Sequence, residues 1–209
     1  MHNTAQPVLA PIALKPELLQ SAFEIQTRWH VITGAPSCGK TTLINQLAEA
    51  GYPTVPEGAR LYMESQLAQG RTIADIRADI CELQCAIKDV HADIERGLPA
   101  NACLFLDRAL PDCLAWHRAF GLDPNTFLRQ CFRYRYASVW MLDPLPLNLN
   151  GLRFKDPELQ AFLHEWHIRD YTALGYSIHH VPALPPEARL AFILEALSQT
   201  GALETPERP

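Results

Sequence analysis

Apolar and polar positions change period repeatedly along the chain. The run RWHVIT, Arg28 to Thr33, is short and apolar and ends at Gly34, the pattern of a buried strand. GKTTLINQLAEAG, closed by Gly51, has the spacing and terminal glycine of a helix. YPTVPE predicts a brief strand ending at Glu57, and GARLYMESQLAQG a helix. Ile73, Ile76, Ile80, Leu83, Ile87, Val90 and Ile94 then recur in steps of three and four, which predicts one long helix with a single apolar face, packed on the domain's own sheet. NACLFLDR predicts a second apolar strand running into Asp107, and PDCLAWHRAFG and PNTFLRQCFRYR read as helical. ASVWMLDP is another strand. PELQAFLHEWHIRDYTALG opens with proline and closes with glycine, the usual helix asymmetry. YSIHHVP and PEARLAFILEALSQTG complete the series as a last strand and a last helix.

Strands alternating with helices imply an α/β fold, a mostly parallel sheet covered on both faces. Ligands of such sheets bind at the carboxyl ends of the strands. Gly34, Glu57, Asp107 and Asp143 each close a strand, so this order predicts that they share one edge. Residues 1–27 read as an N-terminal arm spaced by Pro7, Pro11 and Pro16, with PELLQSAFEIQ offering a short helix. Residues 28–200 read as the domain and 201–209 as a C-terminal tail.

The 209 residues, 48% hydrophobic, suit one domain with a sizeable core. A net charge of -5 disfavours a general nucleic-acid binder. Only Lys15, Lys40, Lys88 and Lys155 are lysines; the other cations are arginines, whose forks match phosphates and carboxylates. The six cysteines form no C-x-x-C pair and read as reduced thiols of a cytoplasmic protein. No run of twenty apolar residues predicts a membrane span, and the proline-broken start does not read as a signal peptide.

Gly34 to Thr41 matches G-x-x-x-x-G-K-[ST], the phosphate-binding loop, between a predicted strand and a predicted helix. Glycines let the backbone of Gly34, Ala35, Pro36, Ser37, Cys38 and Gly39 curl around an anion and expose its N–H groups. The following helix points its positive end at the same place. Lys40 reaches for the outer phosphates, the Thr41 hydroxyl is a candidate ligand of Mg²⁺, and Thr42 a candidate contact to the innermost phosphate. Asp107, leaving a strand beside this loop, is suited to holding Mg²⁺ or to accepting a proton from a substrate hydroxyl, with Arg108 next to it. Glu57 is a second candidate base, with Arg60 on the same helical face. In LNGLRFKDPE, Arg153 and Lys155 offer lid cations for charge developing on a transferred phosphoryl group. HEWH (His164 to His167) lacks the H-E-x-x-H pattern and a third ligand, which argues against zinc.

VITGAPSCGKTTLINQL, GYPTVPEGAR, LFLDRALPDCLAW and LGYSIHHVP together resemble the NadR-type P-loop ATPase/kinase domain, which includes nicotinamide riboside kinases; the resemblance covers about residues 28 to 200. It implies a three-layer α/β/α P-loop kinase-like fold with five parallel strands, and ATP or GTP bound with Mg²⁺. It implies phosphate-loop roles for Gly34, Gly39, Lys40 and Thr41 and a substrate-side acidic–basic pair in Asp107 and Arg108. It likewise implies a catalytic carboxylate in Glu57, a lid cation in Arg153 and a base-reading amide in Gln84.

These features lead to the expectation of a small-molecule kinase acting on a nucleoside-like acceptor, with Glu57 or Asp107 as base. The alternative is a nucleotide-hydrolysing regulatory module working through a protein partner. A protein partner or a homo-oligomer fits either reading. N-K-x-D and a strand-following D-x-x-G are absent, which weakens a signalling-GTPase version.

Overall fold

The computed structural model describes residues 6–145 and 156–203. Its elements, in chain order, are α1 (Pro16–Leu19), β1 (Ile25–Gln26), β2 (Trp29–Thr33), α2 (Lys40–Glu49), β3 (Thr54–Val55), α3 (Gly58–Ala68), α4 (Ile73–Ile76), α5 (Ile80–Gly97), β4 (Leu104–Asp107), α6 (Asp112–Ala119), two 3-10 turns (Pro124–Thr126 and Leu128–Phe132), β5 (Tyr134–Arg135), β6 (Ser138–Leu142), α7 (Pro157–Ala173), β7 (Ile178–Val181) and α8 (Pro186–Gln199). Five strands form one parallel sheet in the order β3-β4-β2-β6-β7.

Side-chain alternation explains the layers. Trp29 and Val31 of β2, Leu104 and Leu106 of β4 and Val139 of β6 point to one face, where α6 and the 3-10 turns cover them. Ile32, Phe105, Trp140 and Leu142 point to the other and pack under α2 and α8. With both faces buried, every position of β2, β4 and β6 is inaccessible, so these strands read as apolar runs. The chain passes β2 in going from β4 to β6, and the crevice at the carboxyl end of β2 is where the Gly34 loop begins.

Two expectations from periodicity are corrected. The isoleucine-rich stretch is two helices. Thr72 and Asp79 each accept a backbone N–H three residues on, so each opens a new helix, and the chain bends at residues 77–79. The buried side of α5 is Leu83, Gln84, His91 and Glu95, three of them polar. PNTFLRQCFRYR forms 3-10 turns and then β5, which pairs with β1 in a small second sheet. The short helix expected in PELLQSAFEIQ is present as a single turn, and β1 follows it.

Residues before β2 are laid against the domain. Val8 and Leu9 donate backbone N–H bonds to the Ala119 carbonyl, and Ala10 to that of Arg118. Arg118, fully buried, donates through Nε to the Ile12 carbonyl (2.6 Å) and through Nη1 to Asp170 of α7 (2.6 Å). No helix of the described residues is long and apolar enough to cross a membrane.

Candidate active site

The phosphate loop is shaped by residues in the left-handed region: Gly34 (φ 140°), Ser37 (φ 61°) and Gly39 (φ 93°). A Cβ on Gly34 would lie 2.8 Å from the Leu142 carbonyl oxygen and 2.9 Å from Cys38 Sγ, so only glycine fits there. Gly39 caps α2, which directs the positive end of its dipole into the loop. Lys40 is buried and folds back on the loop, its Nζ donating to the carbonyls of Gly34 (3.1 Å) and Ala35 (2.9 Å). Burial, and then the charge of Arg108, hold its ammonium below the ordinary value. Bonds to two carbonyls are readily exchanged for stronger ones to an anion.

Asp107 ends β4, opposite Ile32 of β2, and is 2% exposed. Its Oδ1 has no hydrogen-bond partner. Burial first, then the neighbouring Glu57 carboxylate, pushes it up to about 6. Arg108 follows at φ 68°, a strained conformation for a residue with a Cβ, costing roughly 1–3 kcal/mol. The strain is held by its partners. The guanidinium donates from Nε to Glu57 (2.8 Å) and from Nη1 to Asp112 (2.8 Å), and its backbone N–H bonds the Ile32 carbonyl (3.0 Å). His167 Nε2 lies 3.3 Å from Nη1. Burial brings that imidazole down to about 3, so it is neutral and accepts from Arg108.

Asp112 anchors this arrangement. It accepts from the Thr33 hydroxyl, the Ala109 N–H (3.2 Å) and the Tyr171 hydroxyl (2.6 Å) as well as from Arg108. Burial alone would raise its carboxyl; His167, Arg108 and the two hydroxyls reverse that and hold it well below the carboxylate range. Because the imidazole is neutral, Arg108 is the lasting charge in this balance. At Glu57, likewise, burial works upward, but Arg108 and Lys40 outweigh it and keep the carboxyl below its ordinary value. Arg60 Nη2 donates to the Thr41 hydroxyl (3.0 Å).

A cleft of about 840 Å³ runs from Pro36–Leu43 to a far wall of Leu145, Ala183–Pro186 and Arg189. A recess of about 100 Å³ adjoins it, lined by Gln84, Ile87 and His91 of α5 with Cys113 of α6, and shares Glu57, Arg108 and Trp116 with the cleft. Gly58 packs closely on one of the recess residues, since a Cβ there would stand 3.0 Å from the His91 ring.

The structure brings Gly34–Thr42, Glu57, Arg60, Gln84, Asp107 and Arg108 near one another; Arg153 and Lys155 lie outside the described residues. The Thr41 hydroxyl and the orphaned Asp107 oxygen are hard oxygen donors that fit Mg²⁺. Among the described residues no group of three His, Cys, Asp or Glu is arranged to hold a metal, so a cation here would complete its shell from phosphate and water. Motif reading assigned no role to Asp112, Trp116, His91, His167 or Arg189. Asp112 and Trp116 carried a usable signal, since they lie four apart on one face of the helix that follows Arg108.

A family model described as an AAA domain matches residues 29–189. Among solved structures, NadR protein in complex with NR superposes with a TM-score of 0.61 at 20% identity, over 88% of this chain and 53% of that one. NadR in complex with NAD and AMP-PNP gives 0.60 at 21%, over 88% and 51%. Deoxyadenosine kinase from M. mycoides with bound dATP gives 0.55 at 13%, over 81% and 99%. The chain thus spans about half the length of the NadR chains it matches. No curated protein matches it in sequence. The fold is the three-layer P-loop kinase fold of these neighbours.

Proposed function

Because the chain belongs to the AAA-domain family whose model spans residues 29–189, we propose that it is a kinase transferring the γ-phosphoryl group of Mg-ATP to a hydroxyl of a nucleoside-like small molecule. The recess beside the phosphate loop carries this reading. A nucleotide hydrolase that answers to a protein partner needs the loop but no second walled pocket. Here Gln84 offers an amide, His91 an imidazole and Trp116 an aromatic face, the groups that hold a flat polar ring. The recess is small, so it takes the ring and leaves the sugar to reach back toward Glu57 and Arg108.

Glu57 is the acceptor-side carboxylate in this proposal. It lines both cavities and stays ionised, whereas Asp107 is buried and lines neither. Glu57 takes the hydroxyl proton as the oxygen attacks, and Arg108 fixes the carboxylate's orientation. Lys40 trades its loop carbonyls for the outer phosphate oxygens and offsets their charge as the γ-phosphoryl leaves. Thr41 and Asp107 would hold Mg²⁺, which supplies charge neutralisation at the phosphates. Arg153 is proposed as the lid cation.

ATP is favoured over GTP by the far wall. Pro185 and Pro186 have no N–H, and that of Leu184 is already bonded to the Pro182 carbonyl (2.7 Å). The guanidinium of Arg189 on the same wall is turned to the Cys38 carbonyl, so the backbone of 183–186, with few free donors, suits the 6-amino group of adenine better than the 6-oxo group of guanine.

The test is ADP release with Mg-ATP across a panel of nucleosides and simpler alcohols. The NadR and deoxyadenosine kinase neighbours make NR and deoxyadenosine the first to try. One acceptor is expected to raise turnover well above basal hydrolysis and to become phosphorylated. Nucleotide binding without stimulation by any acceptor would favour the hydrolase reading.

A further inference from the structure

The far wall of the cleft contains a cation that plays no part in the mechanism above. Arg189 stands in the first turn of α8, 3% exposed, with its guanidinium against the phosphate loop. Nη1 donates to the Cys38 carbonyl (2.5 Å), and Nη2 lies 3.5 Å from the Asp143 carbonyl. Nε is sealed from solvent and has no partner. Among the described residues no carboxylate lies within ion-pair distance. Burial holds its value below that of an ordinary arginine, with Cys38 and Asp143 working the other way. Gly39 rests against it, and a Cβ at that position would stand 3.3 Å from Nη1.

A guanidinium taken out of water without a counter-ion is costly, and two neutral carbonyls compensate for it only in part. It nonetheless lines the cleft beside Gly39, Lys40 and Thr41. An anion entering there supplies the missing charge. Lys40 approaches the phosphates from within the loop, whereas Arg189 approaches from the wall assigned to the base. The phosphate nearest that wall is the one next to the ribose.

We propose that Arg189 is a nucleotide-binding residue that engages the α-phosphate from outside the loop, so that the polyphosphate is held between two buried cations rather than by Lys40 alone. The inference rests on the nucleotide-binding reading of the cleft.

Calorimetric titration of wild type, Arg189→Gln and Arg189→Lys with ATP, ADP, AMP and adenosine tests it. Gln keeps a donor for the Cys38 carbonyl but no charge; Lys keeps the charge without the fork. Arg189→Gln is expected to weaken ATP, ADP and AMP alike by roughly 10- to 100-fold and to leave adenosine unchanged. Arg189→Lys is expected to lose less than Arg189→Gln, and wild-type affinity to fall more steeply with salt than that of the Gln variant. Equal affinities in wild type and Arg189→Gln overturn the proposal, as does a loss that includes adenosine or is as large in Lys as in Gln, which would mark a base contact or a support for the loop. Should the Gln variant fail to fold, the Lys variant decides through its phosphate-dependent loss. A wild-type protein that binds none of the four ligands refutes the nucleotide reading itself, a result distinguishable from all of these.

Discussion

Glu95 is a carboxyl group placed where a carboxylate is penalised, and replacing it with glutamine should make the protein more stable at alkaline pH. It sits in α5 at 3% exposure. Its Oε1 accepts from the Leu110 N–H (2.7 Å), and the Tyr136 hydroxyl lies 3.0 Å from both oxygens. One hydroxyl facing two oxygens suits a protonated acid, which accepts at one oxygen and donates at the other. Burial outweighs these bonds and raises the group from 4.5 to about 7. A carboxyl raised on folding contributes fully below its unfolded value, and that contribution is lost as pH rises through the folded value. The penalty therefore develops between about pH 4.5 and 7 and reaches about 3 kcal/mol by pH 8. Glu95→Gln mimics the protonated acid and removes the dependence. Urea unfolding followed by tryptophan fluorescence, with Trp29 and Trp140 fully buried, should give stabilities within about 1 kcal/mol of each other at pH 5. At pH 8 the variant should lead by up to about 3 kcal/mol, or roughly 6–12 °C in Tm for a chain of this size. The buried histidines His30 and His117, both lowered to about 4 chiefly by burial, lose stability as pH falls, so only the difference between the two proteins is diagnostic. Parallel curves from pH 5 to pH 8 would refute the reasoning.

Lys40→Ala should leave the circular dichroism unchanged and weaken Mg-ATP by at least about 10-fold in calorimetry; an unchanged affinity counts against the loop assignment. Glu57→Gln should lower kcat with a stimulating acceptor by roughly 100-fold or more at nearly constant ATP affinity. If Asp107→Asn, under saturating Mg²⁺, lowers kcat while Glu57→Gln does not, the two carboxylates exchange roles. Asp112→Asn breaks a buried pair with Arg108 and should cost about 3 kcal/mol in urea unfolding. Tyr171→Phe, which removes one of its hydroxyl donors, should cost only about 1 kcal/mol, and equal losses would show that the charge on Asp112 is not what matters.

The parallel sheet and the convergence of its strand ends were legible because parallel strands must be apolar and their loops must meet at one edge, whereas the strand order was not. Gly34–Thr41, Glu57 and Asp107 followed directly from that rule. The helix at 73–94 misled because isoleucines keep their period across a cap; Thr72 and Asp79 mattered more than the stripe. Gln84, His91 and Glu95 are buried on α5 although polar, because that face lines the recess and supports Leu110, and an apolar template looks for the opposite. Arg189 left no trace in the sequence, since its place against Cys38 depends on how α8 crosses α2, which no local pattern specifies.

The strap at residues 8–12 bonds to a helix more than one hundred residues further along the chain and covers the Arg118–Asp170 pair. On the ribosome these residues emerge long before α6 or α7 exists, so they must wait, unpaired, while the sheet assembles. Docking the strap is accordingly a closing event of maturation. Anything that detains it would leave a finished sheet with the buried Arg118–Asp170 pair open to water.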